Sequence, residues 1–239
     1  MSKYTYNKDY FEVIDNQEKA YWLGLLYADG CITKFYRNEK VKSMSLELTL
    51  KSEDKPHLEK FLKALDSNSP IQNRKHKIGN KTYTSNRVAI NCTKMCRDLI
   101  DKGCTPQKSL TLAFPTNEQV PTELLPHFMR GYLDGDGCVH YSEAMQYHAQ
   151  KGKSYLSKNF VVSLVGTEEF LWKFKLNLIS NQVVSNNIFC GNTGKAYELR
   201  ITDRNNIKLL YDYLYKDSTI SLDRKVEVFE HAFSRFNIA

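Results

Sequence analysis

The chain has 239 residues, 41% hydrophobic and 26% charged, the balance of a globular protein with an ample core. That composition excludes disorder as the main state, and no run approaches the ~18 uninterrupted apolar residues of a membrane span. Lys plus Arg number 34 against 27 Asp plus Glu, and the net charge of +7 favours an anionic partner, most simply nucleic acid.

Residues 1–15 lack the apolar core of a signal peptide. The six cysteines show neither paired zinc spacing nor a secretory context. The expectation is a soluble intracellular protein with reduced structural cysteines, sited in a bacterial or phage-infected cytoplasm or in an organelle matrix. In chain order, a helix opens at Gln17–Trp22 and runs into the segment Trp22–Cys31. A strand covers Ser43–Leu50, with Met44, Leu46, Leu48 and Leu50 on one face and Ser45, Glu47 and Thr49 on the other. Ser52 followed by Glu53 is a helix-start signature, and Leu58, Phe61, Leu62 and Leu65 continue at helical spacing. A hairpin with a Gly-Asn turn occupies Arg74–Thr84, a helix lies near Met95–Lys102, and Gln107–Ser109 follows.

Pro115–Pro126 reads as a linker, after which the same order recurs. Met129–Cys138 matches Trp22–Cys31: each has Gly, four residues, Asp, Gly, Cys, then a β-branched residue. Phe160–Glu168 matches Ser45–Glu53, ending in Thr167 and an acidic residue before Phe170, Leu171, Phe174 and Leu178. A second hairpin with a Gly-rich turn spans Asn187–Ile201, a helix lies near Asn205–Leu214, and Asp223–Lys225 stands where Gln107–Ser109 stands in the first half. The chain is therefore two similar halves, residues 1–118 and residues 119–239, of α+β class.

Gly24 and Ala28 share one helix face, as do Gly131 and Gly135, and small residues at that spacing let two helix backbones approach closely. Packed that way, the helices bring Asp29 and Asp136 together at their C-terminal ends. A carboxylate there meets the negative end of the helix dipole at a cost of ~0.3–1 kcal/mol, and two such carboxylates repel. A divalent cation removes both penalties. The alternative is that each Asp-Gly merely ends a helix, with Gly30 and Gly137 as left-handed caps.

Trp22–Gly30 and Met129–Gly137 resemble the two signature motifs of the LAGLIDADG homing endonucleases, of the monomeric two-motif type. The second motif keeps Gly131, Leu133, Asp134, Asp136 and Gly137; the first keeps Gly24, Leu25, Ala28, Asp29 and Gly30 but has Tyr27 at the family's first Asp. The resemblance implies two pseudo-symmetric αββαββα halves, packed through the motif helices, whose antiparallel β-sheet saddles lie over the major groove of double-stranded DNA. It implies a magnesium- or manganese-dependent nuclease, with calcium as a non-cleaving substitute, making double-strand breaks in a long pseudo-palindromic target. Asp29 and Asp136 would hold metal with the Ala28 and Gly135 positions, and Lys108 and Lys225 would act near the scissile phosphates. Candidate DNA contacts are Lys34, Arg37, Lys40, Lys42, Arg74, Lys75, His76, Lys77, Lys81, Arg87, Lys158, Lys195 and Arg200, with Arg suited to bases and Lys to phosphate. Two other readings fit the same scaffold: a maturase assisting the splicing of intron RNA, and a DNA-binding regulator, which should have lost the carboxylates.

Overall fold

A computed structural model of the chain describes residues 3–185, 188–193 and 197–238. The elements follow the order α1 (Gln17–Asp29), β1 (Gly30–Arg37), β2 (Lys40–Lys51), α2 (Lys55–Ala64), β3 (Gln72–Ile78), β4 (Lys81–Ile90), α3 (Thr93–Asp101), α4 (Leu125–Asp136), β5 (Gly137–His148), β6 (Lys153–Gly166), α5 (Glu168–Ser180), β7 (Phe189–Asn192), β8 (Tyr197–Ile201), α6 (Arg204–Tyr215) and α7 (Asp223–Phe236). They build two four-stranded antiparallel sheets, ordered β1-β2-β4-β3 and β5-β6-β8-β7. Each half is thus αββαββα, and α7 is an addition that the internal repeat does not contain. Among the described residues, no helix is long and apolar enough to cross a membrane.

Two compact units emerge: Met1–Gly135 with Ser218–Leu222, and Asp136–Asp217 with Asp223–Ala239. The repeat boundary and the packing boundary differ, since α4 opens the second repeat but packs in the first unit. The end of the Pro115–Pro126 stretch is ordered, because a 3₁₀ turn at Thr122–Leu124 leads into α4.

In the first unit, Asn16 caps α1 by accepting the Lys19 amide at 3.0 Å. Met44, Leu46, Leu48 and Leu50 are buried under the helices, and Ser45, on the opposite face, is buried as well. The Trp22 ring packs on His57 and on Phe61, each at 5.0 Å between centroids, locking α2 onto α1. Asn38 and Glu39 both adopt left-handed angles, the two-residue turn that matches the twist of β1 and β2. Gly79, in the expected Gly-Asn turn, is also left-handed. Ser52 does not cap α2; it sits in a 3₁₀ turn with Glu53 and Asp54, and α2 starts at Lys55 without a side-chain cap.

In the second unit, Thr167 does cap α5, accepting the Phe170 amide at 3.2 Å. Phe160 meets Phe229, Phe233 and Phe236 at 5.8–6.2 Å between centroids, so α7 supplies much of the aromatic core beneath the sheet. Arg235 closes this contact with paired bonds of 2.7 and 2.9 Å to Glu143, which hold the Glu143 carboxyl down to about 2. Of the Gly-rich turn expected between β7 and β8, Gly191 and Asn192 are strand residues of β7, while residues 194–196, like the strand start expected at Asn187, lie outside those described.

All six cysteines are free thiols; Cys92, Cys96 and Cys104 are buried, whereas Cys31 and Cys138 are exposed and so do not serve the core. Burial pushes the Cys96 thiol up to about 12 and the Cys104 thiol up to about 11.

Candidate nucleic-acid and metal site

Within the first unit, α1 and α4 meet backbone to backbone. A Cβ on Gly24 would lie 2.0 Å from the Phe128 carbonyl oxygen, and one on Gly131 would lie 2.0 Å from that of Tyr21. A Cβ on Gly135 would lie 2.2 Å from the Ala28 Cβ and 3.2 Å from the Asp29 Oδ2. Only hydrogen fits at these crossings.

Neither Gly30 nor Gly137 is a left-handed cap. Gly30 has φ −75° and ψ 143°, and neither is among the described residues with positive φ. Each helix instead passes straight into a strand, so Asp29 is the last helical residue before β1 and Asp136 the last before β5. Gly30 is required for the close approach, because a Cβ there would stand 2.5 Å from the Leu26 carbonyl oxygen.

Asp29 is half-buried and Asp136 exposed, and neither helix has a basic residue in its last turn. Each end therefore offers a carboxylate together with helix-terminal carbonyls. These are hard oxygen donors that suit Mg²⁺, Mn²⁺ or Ca²⁺ and lack the softness that zinc favours. No group of three or more His, Cys, Asp or Glu is gathered among the described residues.

Two lysines complete the picture. Lys108, 8% exposed, donates its Nζ to the Gly30 carbonyl; Lys225, 3% exposed, donates its Nζ to the Gly137 carbonyl. Each unit thus fixes a lysine on the residue that follows its motif aspartate. Lys108 lies in a 3₁₀ turn after α3, and Lys225 in the first turn of α7.

Arg130 and Asp134 of α4, both essentially buried, bind the segment 218–222 into the first unit. Arg130 Nε donates to the Ile220 carbonyl at 2.9 Å, and Asp134 Oδ2 accepts from the Leu222 amide at 2.7 Å and from the Tyr21 hydroxyl at 2.8 Å. Arg130 Nη1 also lies 2.8 Å from His127 Nδ1. Burial, with the Arg130 charge beside it, lowers the His127 pKa to about 4, so the neutral ring accepts this bond. A histidine unfolded takes up its proton near 6.5, so between that pH and 4 the unfolded chain binds more protons and stability falls as pH falls. The expected result is a melting temperature that drops from pH 6.5 to 4, and a shallower drop in His127→Gln; parallel curves would exclude His127 as the cause.

The candidate DNA contacts divide by sheet face. Paired residues in the register place Arg74, His76 and Arg87 on the outward face of the first sheet, with Gln72, Ser85, Tyr83 and Glu47. Arg87 is not a lone cation there: Nε bonds Glu47 at 2.8 Å and Nη1 bonds Gln72 at 3.4 Å, a row across three strands. Lys75 and Lys77 share the opposite parity, on the exposed edge strand β3. Lys34 pairs with buried Met44 and so lies on the helix-packed face. Arg37, Lys40, Lys42 and Lys81 are exposed at the hairpin ends. In the second sheet Arg200 is outward and paired with Glu198 at 2.7 Å. Lys158 is on the helix side, donating to the Arg235 carbonyl at 2.7 Å at the end of α7, a position that serves packing. Lys195 lies outside the described residues. Outward Gln72, Tyr83, Ser85 and Glu47, together with His140, Ser142, Asn159 and Ser163 of the second sheet, were not singled out in the sequence; strand alternation counted from the buried Val88 and Val162 identifies them.

No family model and no curated protein sequence matches the chain. Solved structures do. I-SmaMI bound to an uncleaved DNA target in the presence of calcium ions is 13% identical, with a TM-score of 0.58 over 93% of this chain and 92% of that one. I-LtrWI bound to target DNA is 12% identical, with a TM-score of 0.57 over 97% and 92%. The LAGLIDADG meganuclease I-AabMI bound to uncleaved DNA is 13% identical, with a TM-score of 0.55 over 94% of each chain. Over nearly its whole length, this chain has the fold of the LAGLIDADG homing endonucleases.

Proposed function

We propose that the chain is a DNA endonuclease that cuts both strands of a long, asymmetric duplex site in a divalent-metal-dependent reaction. The observation that carries this reading is the doubled arrangement of motif aspartate, following glycine and lysine, with Lys108 on Gly30 and Lys225 on Gly137. The net charge of +7 and the likeness to DNA-bound nucleases support the substrate class.

Asp29 and Asp136 are the carboxylate ligands in this reading, with the Ala28 and Gly135 carbonyls as further oxygens. A bound Mg²⁺ or Mn²⁺ supplies phosphate polarisation and a lowered pKa for an attacking water. Lys108 and Lys225 stabilise charge that develops on the phosphate, and their bonds to backbone carbonyls keep each ammonium oriented. The outward faces of both sheets supply polar and basic groups for base edges, the exposed hairpin ends supply Lys for phosphates, and the chain works as a monomer.

The experiment is to incubate the purified chain with Mg²⁺ and a randomised duplex library and to sequence the ends produced. Enrichment of one long site, abolished by EDTA, supports the reading. Site-selective retention of DNA or intron RNA without ends would favour a binding module or maturase and overturn it. On the recovered site in Ca²⁺, log K should fall against log salt at about −0.9 per phosphate contact. Arg74→Ala should cost ~1–3 kcal/mol and relax the sequence preference, while Lys158→Ala leaves affinity unchanged. Equal losses in the two variants would refute the assignment of sheet faces.

A further inference from the structure

The motifs differ at one buried position, Tyr27 in α1 and Asp134 in α4, each two residues ahead of its motif aspartate and each 1% exposed. Both side chains end on backbone that leads to a lysine. The Tyr27 hydroxyl donates to the Lys102 carbonyl at the C-terminal cap of α3. Gly103 follows with φ +93°, where a Cβ would stand 2.0 Å from that hydroxyl oxygen, and the Cys104 thiol donates to the Leu26 carbonyl at 3.5 Å. The segment so held runs on to Lys108. In the other motif, Asp134 accepts the Leu222 amide at 2.7 Å. Leu222 immediately precedes α7, whose first turn carries Lys225.

The two chemistries follow from which helix end is presented. A helix C-terminus leaves carbonyls without intrahelical partners and needs a donor; a helix N-terminus leaves amides and favours an anion. Tyrosine meets the end of α3 and aspartate meets the amide of Leu222, the residue just ahead of α7, so the departure from the repeat answers a difference in backbone polarity.

Resting on the nuclease reading, we infer that Tyr27 and Asp134 are positioning residues, Tyr27 for Lys108 and Asp134 for Lys225. Each governs the lysine of one half, so each governs one strand. Two measurements on the intact chain test this. Amine-reactive footprinting, read by peptide mass spectrometry, needs no cleavage. Tyr27→Phe should raise labelling of Lys108 and leave Lys225 as in the wild type, and Asp134→Asn should do the converse. Single-turnover cleavage of the recovered site with each strand labelled should then show Tyr27→Phe slowing one strand and Asp134→Asn the other. Each effect is roughly tenfold, the scale of one hydrogen bond.

A variant that merely loosens the fold slows both strands alike and exposes both lysines. That result, or no change in labelling, overturns the inference. If labelling crosses over as stated but the wild type cuts no DNA, the nuclease reading fails while the positioning stands.

Discussion

Asp136→Asn or Asp29→Asn is expected to cut the recovered site ~10²–10³-fold more slowly than the wild type, the usual scale for losing one key electrostatic contact. Asparagine keeps the shape of the side chain but removes the charge that a hard cation requires at each helix end. Affinity measured in Ca²⁺ should survive or tighten, because a carboxylate facing phosphate is repelled. The check is linearisation of a plasmid carrying the site, in Mg²⁺ and in EDTA, for the wild type and both variants. Wild-type rates in Asp136→Asn would show that the proposed carboxylates do no chemistry.

Gly131→Leu should be the most damaging substitution for stability. Any Cβ at Gly131 meets the Tyr21 carbonyl oxygen at 2.0 Å and the Leu25 amide nitrogen at 2.8 Å, and these are backbone atoms of α1 that no rotamer change can move. Overpacking of this kind costs ~1–3 kcal/mol and sometimes more, and a chain of this size loses about 2–4 °C of melting temperature per kcal/mol. Gly24→Leu, against the Phe128 carbonyl, should behave alike. Gly79→Ala has open space around its Cβ and serves as the control, with only the strain of a left-handed turn position. A melting temperature for Gly131→Leu equal to the wild type would mean that the two helices do not cross at these glycines.

Much of the fold was legible because it is repeated. The strand alternation Met44–Leu50 and the helical spacing from Leu58 and from Phe170 each appear twice in register, and each became the element expected. The helix α7 was not legible by that route, since the first half has no counterpart, although Val226, Phe229, Phe233 and Phe236 carry the three-to-four residue period. Of the candidate site, the aspartates and the two lysines could be picked from matched positions. The sheet-facing residues could not, because clustering of positive charge says nothing about which side of a pleat a lysine takes. Lys34 and Lys158 looked like the other basic residues and fell on the helix side; one residue of register decides that. Tyr27 stood out as a mismatch, but its meaning depends on a carbonyl 75 residues away.

The stretch Ser218–Leu222 lies between two helices of the second unit yet belongs to the first, tied there by Arg130, Asp134 and a Gln17 side chain 3.4 Å from the Thr219 amide. The halves are alike in order but not interchangeable as cassettes. A gene fragment ending at residue 118 would lack both α4 and this stretch, leaving the glycine face of α1 and buried Tyr21 without cover. A graft that swaps the carboxy-terminal half for that of another two-motif chain must bring a side chain that accepts the Tyr21 hydroxyl and a backbone amide that donates to Gln17, or carry those positions across as well. Modular exchange therefore has to follow the packing boundary instead of the repeat.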